Sequence, residues 1–128
     1  MRALLDTQAF LYSVAGPGPP PRHTLTIIED LENDLYLSIA SVWEMAIKLS
    51  IGKPSLARPL AALVTTQLAT TRIFLLPINI EHTAAVATLP LHHRDPFDRM
   101  LVAQSTVERL PIVSGDGAFE LYGVERLL

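Results

Sequence analysis

The order of apolar and polar residues along the chain shows two repeating patterns. Short apolar runs, typical of buried strands, are separated by segments in which apolar residues recur every three or four positions, as on one face of a helix. Strands that are apolar on both sides and alternate with helices predict an α/β fold, a three-layer α/β/α sandwich with a central parallel sheet. The expected strands are Arg2–Asp6, Leu35–Ile39, Phe74–Pro77, Ile112–Val113 and one near Val124. The expected helices are Thr7–Val14, Thr24–Asn33, Ser41 to about Gly52, Leu60–Thr70, Glu81–Leu89, Asp95–Leu110 and Ala118–Tyr122.

Two of these helices carry more detailed expectations. The spacing in the second helix predicts that Leu25, Ile28 and Leu31 share its buried face. The order Ser41-Val-Trp-Glu44 is that of a capping box, in which the Glu44 side chain would reach back to the amide of Ser41. The third helix is therefore expected to begin at Ser41.

Length and composition limit the possible classes of protein. A chain of 128 residues is expected to form one domain, residues 1–128. The mean hydropathy of +0.32 suggests more apolar surface than one core needs, and hence a partner or self-association. There is no cysteine, which excludes disulfides and thiolate metal sites and suits a reducing cytoplasm. Charged residues interrupt the apolar stretches near the N-terminus and along the chain. We therefore expect a cytoplasmic protein with no secretory signal and no membrane span.

Four carboxylates follow strands or begin helices. Asp6 follows the first strand, Glu44 lies one helical turn after the second, and Asp116 follows the strand at Ile112–Val113. Because the carboxyl ends of parallel strands share one edge of a sheet, these three acids are expected near one cleft. Asp98, in the first turn of the long helix, joins them if that helix begins at the same edge.

Taken singly, each acid has a structural explanation as a helix cap. Asp95 precedes Pro96 and is expected to be the N-cap of the long helix, with Asp98 in its first turn. Asp6 could cap the first helix, and Asp116 could cap the last one or form an Asx-turn. Together, however, four converging carboxylates cannot all remain ionised without a cation. With no His or Cys assigned to the site, all-oxygen ligation favours Mg²⁺ or Mn²⁺, the ions that assist phosphoryl transfer or phosphodiester cleavage.

The net charge of −3 does not exclude nucleic acid as a ligand. Without the four proposed ligands, 9 acids face 10 Lys and Arg residues, and bound cations would add positive charge. Net charge is therefore neutral on this point.

Four segments resemble, in order, the signature blocks of PIN domains, and most closely those of VapC-type toxins of toxin–antitoxin systems. They are Leu4-Leu-Asp-Thr7, Ser38-Ile-Ala-Ser-Val-Trp-Glu-Met-Ala-Ile-Lys48, Asp95-Pro-Phe-Asp-Arg-Met-Leu-Val-Ala-Gln104 and Val113-Ser-Gly-Asp116. The resemblance places the metal-binding, catalytic acids at Asp6, Glu44, Asp98 and Asp116, and a supporting hydroxyl at Ser114. It implies a PIN-like fold, cleavage of RNA with one or two Mg²⁺ or Mn²⁺ ions, a homodimer, and inhibition by a cognate antitoxin. Gln8, where relatives often have His, and the stretch Gly16–Pro21 depart from the pattern.

Several other residues have two interpretations. Lys48 could pair with Glu44 four residues earlier or contact phosphate, and Arg99 or Arg94 could contact an RNA backbone or remain solvated. Asp95 could support the site behind its role as a cap, and Thr7, beside Asp6, is a further candidate for a supporting residue. Trp43 fits a core or an interface better than base stacking. The adjacent His92 and His93 lack a third ligand for zinc, and the segment Pro59–Thr71 could be a dimer or antitoxin surface, or a buried helix.

Two alternatives to an active nuclease follow from the residues. A PIN-like module that no longer cuts could serve as an RNA-binding or protein-interaction subunit, although the full set of acids argues against it. A haloacid-dehalogenase-like phosphatase also has an Asp after its first strand. It is excluded because the chain has Gln8 where that class requires a second Asp.

Overall fold

The structure is a computed structural model that describes residues 1–14, 21–52, 56 and 58–127. Its strands are β1 (Arg2–Leu5), β2 (Asp34–Ser38), β3 (Ile73–Leu76), β4 (Ile112–Val113) and β5 (Arg126–Leu127). Its α-helices are α1 (Thr7–Ser13), α2 (Arg22–Glu29), α3 (Ile39–Ser50), α4 (Leu60–Thr70), α5 (Ile80–Ala87) and α6 (Pro96–Glu108), and Gly117–Tyr122 form a 3₁₀ helix.

All five strands are parallel, in the order β3-β2-β1-β4-β5. Strand β1 is central, and its last residue, Leu5, pairs with Leu37 of β2 and Val113 of β4. The carboxyl ends of β1, β2 and β4 therefore meet at one edge. That edge is where an open parallel sheet presents its ligand-binding loops.

Each face of the sheet has its own core because neighbouring residues in a strand point to opposite sides. Leu5 packs into a cluster with residues of α1 to α4, such as Phe10 and Val64, whereas Leu4 packs with Leu101 of α6 and Phe119 of the 3₁₀ helix. Leu4 and Leu5 are both fully buried. The predicted three-layer α/β/α sandwich with a central parallel sheet is thus confirmed.

Two details of the predicted helices were wrong. Helix α2 ends at Glu29, and Leu31 lies beyond it with 82% of its surface exposed. The cause is an Asx-turn, in which Oδ1 of Asp30 accepts a hydrogen bond from the Glu32 amide at 2.9 Å. Helix α2 fully buries Thr24 and Ile27, and of the predicted face Leu25 and Ile28 are half-buried, with Ile28 packed against the core.

Helix α3 begins at Ile39, two residues earlier than predicted. Ser38 is its N-cap, with Oγ accepting from the Ala40 amide at 3.0 Å, so Ser41 and Glu44 do not form the predicted capping box. Strand β2 thus passes directly into α3, and Glu44 lies in the second turn instead of at the start. The helix ends near Gly52, whose φ of +82° is the left-handed conformation that glycine adopts most readily.

The remaining differences are small shifts of position. Strand β3 is one residue earlier than predicted, and β5 is at Arg126–Leu127 rather than near Val124. The unusual stretch Gly16–Pro21 lies outside the described residues except for Pro21. Among the residues described, no helix is both long and apolar enough to cross a membrane.

Candidate active site

Asp6 is held at the end of β1 by two backbone contacts. Its amide donates to the carbonyl of Val113 at 3.1 Å, and its Oδ1 accepts from the Ala9 amide at 2.7 Å, which caps α1. Burial raises the pKa of Asp6, while the hydroxyl of Ser114 and the Ala9 amide lower it. Ser114, itself 1% exposed, also accepts from the amide of Asp116 at 2.9 Å. Ser114 therefore contacts two of the predicted acids, and its supporting role in the site stays a prediction.

Glu44 is nearly buried, and both of its carboxylate oxygens have partners. The Thr7 hydroxyl donates to Oε1 and lies 3.0 Å from the hydroxyl of Ser41. Nζ of Lys48 donates to Oε2 at 2.9 Å. The ion pair is therefore present, and the hydrogen bond to Glu44 raises the pKa of Lys48. A contact of Lys48 with phosphate stays a prediction.

Asp98 lies in the first turn of α6 and points into the cleft. Asp95 is the N-cap of this helix, as predicted, because its Oδ1 accepts from the amides of Phe97 at 2.8 Å and Asp98 at 3.3 Å. The pKa of Asp98 is raised to about 7, chiefly by burial and then by the negative charge of Asp95. The charges of Glu44 and Asp6 also raise it, whereas the neighbouring His93 lowers it.

Each of the four predicted acids lies within electrostatic reach of at least one other. The charges of Asp116 and Glu44 raise the pKa of Asp6, and those of Glu44 and Asp6 raise the pKa of Asp98. Asp116 enters from the start of the 3₁₀ helix, where its Oδ1 accepts from the Ala118 amide at 2.9 Å. The structure therefore brings Asp6, Glu44, Asp98 and Asp116 together at the carboxyl edge of the sheet.

His93 is the member of the cluster that the sequence analysis missed. Its Nε2 lies 3.3 Å from Oδ2 of Asp98 and 3.8 Å from Oδ2 of Asp116. The assumption that no His lies at the acids was therefore wrong. The available signal was its place in the turn two residues before the N-cap of α6, the helix that carries Asp98.

The donor set fits a hard divalent cation. Carboxylate oxygens are the ligands that Mg²⁺ and Mn²⁺ prefer. The pKa of Asp98 is raised first by burial and then by the negative charges around it. A cation held by Asp6, Glu44, Asp98 and Asp116 would offset those negative charges.

Arg99 stabilises the loop before α6 through hydrogen bonds. Its Nη1 donates to the carbonyl of Pro90 at 2.9 Å and to the Tyr122 hydroxyl at 3.3 Å, and its Nη2 donates to the carbonyls of Val86 and Leu89 at 3.4 Å. Both terminal nitrogens are thus engaged within the protein. This geometry gives Arg99 a structural role, and its contact with RNA stays a prediction.

Helix α3 also carries an exposed apolar face, which we call the α3 stripe, formed by Ile39, Trp43, Ile47 and Ile51. These residues recur every four positions, and Trp43, at 61% exposure, is not a core residue. Its ring meets that of Phe97 edge to face at 5.3 Å. The two rings line an apolar groove of about 490 Å³. In α4, by contrast, Leu63 and Val64 are buried, as in an ordinary packed helix.

Comparison with known proteins identifies the family and supports the fold. A sequence profile of the PIN domain family matches residues 3–125, a range that includes all four acids. FitAcB from Neisseria gonorrhoeae has a similar structure, with a TM-score of 0.68 at 21% identity, covering 100% of this chain and 97% of that one. VapBC2 from Rickettsia felis, bound to a DNA fragment from their promoter, gives a TM-score of 0.72 at 14% identity, covering 98% and 97%. No curated protein matches the chain. Because the profile spans nearly the whole sequence, the chain belongs to the PIN domain family.

Proposed function

We propose that this chain is a metal-dependent endoribonuclease toxin that a cognate antitoxin neutralises. The observation that carries the proposal is the convergence of Asp6, Glu44, Asp98 and Asp116 at one edge of the sheet, where each lies in the electrostatic field of another. PIN domains are in general nucleases, and one of the similar structures is a toxin–antitoxin complex from Klebsiella pneumoniae. The choice of RNA rests on the sequence resemblance to VapC-type toxins.

Some residues of the cluster would bind the cation, and others hold those ligands in place. Asp6 and Asp116 each use one oxygen to cap a helix, so the other oxygen is available as a ligand. Thr7 and Lys48 fix the Glu44 carboxylate, and Asp95 fixes the backbone at Asp98. A bound Mg²⁺ or Mn²⁺ supplies a water of lowered pKa and neutralises charge on the scissile phosphate. Because these carboxylates are already held in place, less conformational entropy is lost when the site binds an RNA phosphodiester.

The proposal is tested with purified protein, Mn²⁺ and a labelled structured RNA. Asp6→Asn and Asp98→Asn should abolish cleavage, because each removes a negative ligand without a change of size. Asp34→Asn is the matched control, since Asp34 begins β2 at the opposite edge and pairs with Arg72. Cleavage that survives both site substitutions would overturn the assignment.

Calorimetric titration with Mn²⁺ separates the enzyme from a binding module that no longer cuts. The enzyme should bind Mn²⁺ at a site that Asp6→Asn abolishes, while Asp34→Asn retains it. A folded wild-type protein without site-specific Mn²⁺ binding would instead favour the RNA-binding or protein-interaction module.

We also propose that the protein forms a homodimer in addition to its complex with an antitoxin. The support is the α3 stripe, since exposed apolar side chains in a row are typical of an interaction surface. Sedimentation of the wild type and of Trp43→Ser tests this. The wild type should sediment as a dimer and the variant as a monomer, and a monomeric wild type at high concentration would contradict the proposal.

A further inference from the structure

His93 lies among the carboxylates, yet the proposed function assigns it no role. Its Nε2, with one oxygen each from Asp98 and Asp116, forms a group of three atoms within 4.8 Å of one another. By distance alone, this group would suit a cation bound by one nitrogen and two oxygens. Whether Nε2 can bind a cation depends, however, on which ring nitrogen carries the proton.

A hydrogen bond on the other ring nitrogen decides the position of the proton. The backbone amide of Asp95 donates to Nδ1 of His93 at 3.0 Å. A nitrogen that accepts a hydrogen bond carries no proton, so the ring N–H of His93 is at Nε2. A protonated Nε2 has no lone pair for a cation. Instead, it presents an N–H group to the carboxylates of Asp98 and Asp116, which lie 3.3 and 3.8 Å away.

The opposite tautomer is disfavoured by the position of the Asp95 amide. Asp95 is the N-cap of α6, and its side chain is tied to the amides of Phe97 and Asp98. Its backbone is therefore fixed by the start of the helix. A proton on Nδ1 would place two N–H groups against each other at 3.0 Å and leave the amide without its acceptor.

We propose that His93 is a positioning residue whose Nε2–H holds Asp98 and Asp116 toward each other and leaves the cation to oxygen ligands. The inference rests on the proposed function, because it assumes that the cluster binds a divalent cation. Ligation remains open to both acids, since each carboxylate oxygen has more than one lone pair. Partners of this kind orient the ligands of many metal sites.

This role predicts a specific pattern of metal affinities. A residue that orients carboxylates serves every hard cation alike, so its loss should weaken Mg²⁺ and Mn²⁺ binding by the same factor, roughly 10-fold. A nitrogen ligand would favour Mn²⁺ and Co²⁺ over Mg²⁺, since imidazole suits transition metals better. Its loss would therefore weaken Mn²⁺ binding more than Mg²⁺ binding.

The first experiment determines the tautomer in the wild-type protein. Long-range ¹H–¹⁵N correlation spectra of ¹⁵N-histidine-labelled protein distinguish protonated from unprotonated ring nitrogens, without metal and then with saturating Mg²⁺. We expect the proton of His93 on Nε2 in both states. A proton on Nδ1, or loss of the Nε2 proton when Mg²⁺ binds, overturns the inference. This measurement needs no variant and no activity.

The second experiment measures Mg²⁺ and Mn²⁺ dissociation constants by calorimetry. His93→Ala should weaken both by the same factor, and His93→Gln, which keeps an N–H donor near the Nε2 position, should restore most of the affinity. His92→Ala is the matched control, because the His92 ring packs against Tyr122, with ring centroids 5.0 Å apart. Unequal losses, or no loss, in His93→Ala would contradict a positioning role. A wild type that binds neither cation overturns the proposed function instead, a result that the tautomer does not affect.

Discussion

Replacing Asp98 with Asn should stabilise the metal-free protein above neutral pH, although it removes a proposed ligand. Burial, followed by the charge of Asp95, raises the pKa of Asp98 from 3.8 to about 7. In the folded state above that pH, the ionised carboxylate therefore costs up to about 4 kcal/mol. Because 24% of the side chain is exposed, solvent screening reduces this cost, and we expect about 2 kcal/mol.

One smaller effect opposes this gain. Asp98 lies in the first turn of α6, where a negative side chain interacts favourably with the helix dipole by about 0.5 kcal/mol. Asn loses that contribution. The net stabilisation is then about 1.5 kcal/mol, which raises Tm by roughly 5 °C for a domain of this size.

The sign of the pH dependence follows from the two pKa values. The pKa in the folded state lies above that in the unfolded chain, so the penalty is absent at low pH, grows as the pH rises and is complete above about 7. Asp98→Asn should thus exceed the wild type in stability at about pH 8, and the difference should shrink at about pH 4.5.

Urea unfolding in EDTA at these two pH values provides the assay, with Asp34→Asn as the control that lacks the gain. With Mn²⁺ in place of EDTA, the wild type should become more stable than Asp98→Asn, because only the wild type keeps the full set of ligands. The predicted penalty would be refuted if Asp98→Asn were no more stable than the wild type at the higher pH. It would also be refuted if the gain in the free energy of unfolding were the same at both pH values.

Two further predictions concern residues that support the site. Arg99→Met should lower the free energy of unfolding by about 2 kcal/mol through loss of its hydrogen bonds to the loop. At a temperature where the variant is folded, the salt dependence of RNA binding should not change, whereas a lost phosphate contact would reduce its slope. Thr7→Val should weaken Mn²⁺ binding about 10-fold, measured by calorimetry, because Oε1 of Glu44 loses its donor. Thr7→Ser should retain the affinity, and equal loss in both variants would contradict the role of the hydroxyl.

The sheet could be predicted from sequence because both of its faces are buried. Leu4 and Leu5 point to opposite cores, so the strand is a continuous apolar run. Such a run, apolar on both sides, predicts a buried strand of a parallel sheet. The start of α3 could not be predicted, because Ser38 and Ser41 are both suitable caps. The choice depends on the pairing of Ser38 with Leu76, which ends β2 at that residue, and such pairing is not visible in a local pattern.

The acids of the site were predictable because strand direction carries them to one edge, whereas His93 was not. Its position depends on a contact with a distant residue. The Tyr122 hydroxyl accepts from the backbone amides of His92 at 3.1 Å and His93 at 2.8 Å. These bonds fix the turn that places the imidazole beside Asp98, and Tyr122 lies 29 residues further along the chain. A local pattern shows only a polar turn.

Capping and cation binding were alternatives in the sequence but are compatible in the structure, and geometry explains why. A cap needs one carboxylate oxygen, as Oδ1 of Asp6 and Oδ1 of Asp116 show, and the second oxygen remains available. The amide that is capped also fixes the rotamer of the acid, so the free oxygen is already aimed before a cation arrives. An acid at a helix start on this edge of the sheet can therefore stabilise the helix and bind a cation with the same side chain. Replacing Asp6 or Asp116 with Asn should therefore spare much of the cap, since Asn is also a good N-cap, and should act chiefly through the loss of cation binding.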